Sequence, residues 1–286
     1  MAKRAKSRQA RSDGKTDEAP LDPVEIFKKC WDDCWDAAVL SAAALAGSPL
    51  RLFGVKPVKL KKGELASAVH GFPVVGLGLG MITALVYIIT DWFGLPPLIA
   101  ALLAIATLVL LSGGCNEGEL IRLTNALIAG GTKAQQLTRL KEEALGSNGV
   151  IVLVVSLGLR VGALASLGNA SAVAAALIAA LTVSYAALAV VLYTIPSTSR
   201  SGFAYLAGRP ERDQTVIMLL VAALIAFLVL GFDPVVTFFA LAVGALGAFP
   251  FIWFAKRNLV GPTRAVLGAA QQGAEIGVLL AIVALA

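Results

Sequence analysis

The chain is 286 residues long, 58% hydrophobic and only 15% charged, with a mean hydropathy of +0.81. A water-soluble domain carries roughly 25% charged residues and cannot hide this much apolar surface, so the composition excludes a soluble globule and points to an integral membrane protein. Its net charge of +6 follows the distribution of basic loops described below and does not point to nucleic acid.

The first 22 residues, "MAKRAKSRQARSDGKTDEAPLD", are polar and basic with no adjacent apolar core. They read as a disordered cytoplasmic tail rather than a cleavable signal. From Pro23 to Gly47 the pattern turns helical and amphipathic. Phe27, Trp31, Cys34, Trp35, Ala38 and Val39 share one stripe, while Lys28, Lys29, Asp32, Asp33 and Asp36 occupy the other face. This predicts a helix lying in the membrane interface, with Trp31 and Trp35 placed to meet lipid or another membrane protein. Cys30 and Cys34 fall one turn apart on it. With His70 the only histidine, the ligands are too few for a structural zinc site. A basic strip follows, with Arg51, Lys56, Lys59, Lys61 and Lys62.

Residues 23–286 read as one all-α membrane domain, a polytopic helix bundle. Seven apolar stretches are long enough to span, at about 72–92, 97–113, 148–168, 172–195, 215–232, 235–255 and 265–286. The runs are continuous rather than alternating, which excludes a β-barrel. The "GLGLG" at 76–80 lies inside the first span and lacks the strand–turn–helix setting of a phosphate loop. The connections at 91–97, 168–171 and 231–234 contain no Lys or Arg, whereas the alternate ones hold Lys133, Arg139 and Lys141, then Arg200, Arg209 and Arg212, then Lys256 and Arg257. The positive-inside rule therefore predicts that the N-terminus and long loops face the cytoplasm.

Two charges fall well inside the predicted spans: Arg160 in "VVSLGLRVGALASL", and Glu275 in "GAAQQGAEIGVLLAIV", beside Gln271 and Gln272. An intramembrane charge costs several kcal/mol unless it is paired, so Arg160, Gln272 and Glu275 are expected to face the bundle interior, with Arg160 and Glu275 as partners. Around 111–131 the sequence "LSGGCNEGELIRLTNALIAGG" combines glycines with polar density. It reads as a cytoplasmic segment whose Glu117 and Glu119, with Glu142 and Glu143 further on, are candidate acids for a cation site. Ser199 and Arg200, in the loop after the fourth span, are candidates for holding a phosphate, as are Gly113 and Gly114 through their backbone.

The Phe-Pro-x-x-Gly at 72–76, the second span closing in Leu-Ser-Gly-Gly, "LKEEALGSNGVIVLVV", "YTIPSTSRSGFAYLAG" and "LVGPTRAVLGAAQQGAEIGVLLAIVAL" occur in an order that resembles the cobalamin synthase family over roughly residues 25–286. The resemblance implies a membrane-embedded, Mg²⁺-dependent transferase of a bacterial or archaeal cytoplasmic membrane. Such an enzyme joins GDP-activated adenosylcobinamide to α-ribazole or its phosphate and releases GMP. It also implies a set of metal-ligand carboxylates, because hard divalent ions favour carboxylate oxygens. This chain departs from that set. The family's histidine is Asn116, and its aspartates fall at Gly118, Arg122, Asn125 and Ala265. An Asp-Ser-Arg reads Glu142, Glu143, Ala144, an arginine is Tyr185, and of two final glutamates one is Gln272 and the other is kept as Glu275. The alternative expectation is thus a catalytically inactive relative that serves as a scaffold or accessory subunit in a membrane assembly.

Overall fold

The computed structural model describes residues 63–140, 146–195, 203–259 and 261–286. The expected basic tail and the amphipathic helix with Trp31 and Trp35 lie outside them. The described residues are helical throughout: α1 (Glu64–Ser67), α2 (Gly71–Trp92), α3 (Pro97–Ser112), α4 (Cys115–Ala129), α5 (Lys133–Arg139), α6 (Ser147–Ser166), α7 (Ala170–Thr194), α8 (Phe203–Ala207), α9 (Arg212–Val229), α10 (Pro234–Asn258) and α11 (Arg264–Leu285). Six of them, α2, α6, α7, α9, α10 and α11, are individually long and apolar enough to cross a membrane; α3 and α4 qualify only as a pair, bent by 85°. The chain is a multi-pass membrane protein.

Local sequence sets where these helices begin and end. Pro97 opens α3 at a position that needs no backbone donor. Asn169 caps α7 through Ser171 N, and Asp233 caps α10 through Val235 N and Val236 N. Thr132 and Gln135 form a reciprocal capping box on α5. Glycines in the left-handed region, Gly94, Gly168 and Gly231, close the helices before the short connections.

The spans are not equivalent. The apolar windows of α7 and α11 are each 78% buried, against 22% for α9 and α10, so α7 and α11 form the centre and the others line the outside. Small residues set how closely they pack. Gly76 and Gly80, the outer glycines of "GLGLG", face the α7 backbone at Leu181 and Ile178. Gly244, Gly247, Gly273 and Gly277 bring α10 and α11 into backbone contact. In lipid no hydrophobic force drives helices together, so such close van der Waals approach does much of the work.

The stretch 111–131 differs from its sequence reading. It forms no exposed loop: after α3 the chain turns at Gly113 (φ 69°) and Gly114 (φ 63°). Gly113 N–H donates to Leu110 O and Gly114 N–H to Val109 O, a closure that satisfies the last carbonyls of α3. Two consecutive left-handed residues then aim α4 back into the bundle, between α6 and α11. A polar run between spans reads as a cytoplasmic segment, whereas several of the polar side chains of α4 pair with polar groups on neighbouring helices.

Candidate functional site

Two glycines seat α4. Gly149 on α6 faces Ile121 and Asn125, and Gly268 on α11 faces Asn116 and Glu119; a β-carbon at either position would collide with these neighbours. Asn125 Oδ1 accepts the Gly149 N–H at 3.0 Å, which ties α4 to the first turn of α6. The close fit directs the N-terminal turn of α4 toward an inward polar stripe on α6, formed by Ser156 and Arg160 at i, i+4.

Arg160 sits at the centre, 1% exposed. Its Nη2 donates to Glu117 Oε1 on α4 at 3.1 Å, and its Nη1 to Glu275 Oε1 on α11 at 3.5 Å. The sequence pairing of Arg160 with Glu275 therefore holds, but Glu117 is the nearer partner. Sequence reasoning placed Glu117 in a cytoplasmic loop and could not bring it to the same depth. At the third position of α4, Glu117 also carries its negative charge near the positive end of the helix dipole.

Amides and hydroxyls surround the ion pairs. Gln271 Nε2 donates to Glu275 Oε2 and to Ser184 Oγ on α7, each at 3.0 Å. Gln271 Oε1 accepts from Asn116 Nδ2 at 3.0 Å. Ser156 Oγ donates to Gln272 Oε1 at 2.9 Å. Tyr185, 2% exposed, lies within electrostatic range of Glu275, Asn116 and Glu117. Four helices thus contribute to one buried polar cluster, with two carboxylates against one guanidinium. Among the described residues, four buried polar atoms, Glu117 Oε2, Arg160 Nε, Thr182 Oγ1 and Gln272 Nε2, have no hydrogen-bond partner. Three of them belong to this cluster.

The other sequence candidates have different surroundings. Glu119 pairs with Arg122 one turn along α4 at 3.0 Å, a partly exposed contact. Gly113 and Gly114 form the turn that aims α4. Glu142, Glu143, Ser199 and Arg200 lie outside the described residues. The expectation that Glu117, Glu119, Glu142 and Glu143 share one site therefore meets two separate ion pairs for its described members. Gln271, Ser156 and Ser184 complete the cluster but were not candidates. Two of them left a signal in the sequence, because Gln271 precedes Glu275, and Ser156 precedes Arg160, by one helical turn.

The described residues do not fit a divalent cation. Gly118 has no side chain, and Arg122 presents a guanidinium. Asn125 commits its oxygen to Gly149, and Glu117 is engaged by Arg160. Among the described residues, no three His, Cys, Asp or Glu side chains come together in a group suited to a metal.

Fold and site together define a polytopic helical membrane domain with an ion-paired polar core. The chain belongs to the cobalamin-5-phosphate synthase family, whose sequence model matches residues 47–283. It is 34% identical over 218 residues to an adenosylcobinamide-GDP ribazoletransferase of Bradyrhizobium diazoefficiens, covering 76% of this chain and 83% of that protein. A protein of the same name from Azorhizobium caulinodans is 33% identical over 247 residues, with 82% and 94% of the two chains covered. One from Rhizobium johnstonii is 33% identical over 227 residues, with 77% and 86% covered. No solved structure matches the chain.

Proposed function

We propose that this chain serves cobamide synthesis at the membrane as a transferase of the adenosylcobinamide-GDP ribazoletransferase type. In that reaction a hydroxyl of α-ribazole or its phosphate attacks the phosphorus on the cobinamide side of the GDP-activated substrate. The phosphoanhydride bond breaks, GMP leaves with the bonding electrons, and the hydroxyl proton passes to water. The observation that carries this reading is convergence. Asn116, Tyr185 and the Gln272–Glu275 pair come from three distant parts of the family pattern, and all line one buried polar cluster. The relatives' shared name supports the choice of reaction. We place the basic loops and the N-terminus on the cytoplasmic side of the cytoplasmic membrane on the strength of the charge asymmetry between alternate connections.

One observation favours a second reading. Four family carboxylate positions here are Gly118, Arg122, Asn125 and Ala265, and Glu117 beside them is held by Arg160. A chain that keeps the fold without that chemistry would act as a scaffold, docking other membrane proteins through the segment bearing Trp31 and Trp35.

The test is complementation of a bacterial strain lacking its own ribazoletransferase, supplied with cobinamide. It uses the unmodified chain and a variant carrying Gly118→Asp, Arg122→Asp, Asn125→Asp and Ala265→Asp, both verified in the membrane fraction. The transferase reading expects growth with the unmodified chain. Growth with the variant alone assigns the chain to the inactive class. Failure of both leaves the scaffold reading.

A further inference from the structure

We propose that Arg160 is a built-in cation: tethered to α6, it supplies between Glu117 and Glu275 the positive charge that a bound divalent ion would otherwise supply, so that the bundle closes and stays closed without metal. The inference is independent of the transfer reaction, because its readout is folding.

Glu117 enters from the first turn of α4 and Glu275 from the middle of α11, and among the described residues Arg160 is the cation paired with both. Without Arg160 the two carboxylates would converge on a buried space with nothing to offset their charge, and α4 could not pack in its position. Two acids from separate helices directed at one point is an arrangement that recruits a hard cation. Here the point is occupied by a guanidinium, which offers two donor nitrogens in a fixed fork and stays protonated. One Nη faces each carboxylate, at 3.1 Å and 3.5 Å. Nε, which a side-on bidentate contact with a single carboxylate would use, has no partner among the described residues. The guanidinium thus bridges two helices instead of gripping one.

The experiment uses the full-length protein purified in detergent micelles and follows thermal unfolding by tryptophan fluorescence. The wild-type midpoint should be the same within about 1 °C with EDTA, with millimolar Mg²⁺ and with millimolar Mn²⁺. Arg160→Met should lower it by about 10 °C, because it strands two buried carboxylates. Combining Arg160→Met with Glu117→Gln and Glu275→Gln removes the charges altogether and should recover at least half of that loss. This triple variant also serves as the readout if Arg160→Met alone does not fold. A chelator-induced drop or a Mg²⁺-induced rise of several degrees in the wild type would overturn the proposal. So would Arg160→Met melting like the wild type, or a triple variant no more stable than Arg160→Met alone.

Discussion

Gln271 and Gln272 are sequence neighbours on α11 with the same side chain, yet the structure gives them unequal duties. Gln271 bridges three groups, Asn116, Ser184 and the Glu275 carboxylate. Gln272 makes one contact, from Ser156, and buries its Nε2 unpaired. Removing a buried partner costs about 1–3 kcal/mol for each group it strands, and more for a charged one. Gln271→Leu should therefore destabilise the purified protein by about 3 kcal/mol. Gln272→Leu should cost about 1 kcal/mol, since it strands one hydroxyl and also removes an unsatisfied donor. Equal losses in detergent-based unfolding would show that the two amides are equivalent. At this scale the sequence was only partly legible. That Arg160 and Glu275 would pair followed from the cost of an intramembrane charge. The third member, Glu117, was not legible, because acids beside glycines in a polar stretch look the same whether they face water or a buried guanidinium.

Among the elements, α10 and α11 depend on each other most visibly. Gly247 and Gly273 face one another so closely that a β-carbon on either would strike the partner's backbone, and Gly277 meets α10 at Val243 and Gly244 in the same way. Overpacking such a contact costs about 1–3 kcal/mol for each added group that cannot be accommodated. Gly247→Leu should therefore lower the unfolding midpoint by several degrees, whereas Leu246→Ala, one residue away and facing outward, should leave it nearly unchanged. Six spans were legible from hydropathy, and their ends agree with the helices to within a few residues: the expected 72–92 is Gly71–Trp92, and 265–286 is Arg264–Leu285. The 85° bend after α3 was not legible as such. Gly113 and Gly114 announce a turn, but their direction depends on the left-handed conformation of both residues and on the space left open by Gly149 and Gly268.

For the whole molecule, large apolar side chains are exposed on several sides. Trp92, Leu110, Val154, Leu220, Phe238 and Leu246 each leave more than half of their surface uncovered. Together they form the lipid-facing girdle that the composition foretold. The orientation proposed from the charge asymmetry can be read with single cysteines in a background lacking the native ones. In intact cells an impermeant thiol reagent should label Phe93→Cys, in a connection without basic residues, and should spare Lys133→Cys until the membrane is opened. The reverse pattern would invert the topology. The early bend after α3 has one more consequence. With 16 residues, α3 extends only about 24 Å along its axis, short of the roughly 30 Å hydrocarbon core. Its outward leucines, Leu98, Leu102 and Leu110, nonetheless meet acyl chains. A hydrophobic segment shorter than the hydrocarbon core is accommodated by local thinning of the bilayer, so the leaflet should be compressed along this flank of the protein.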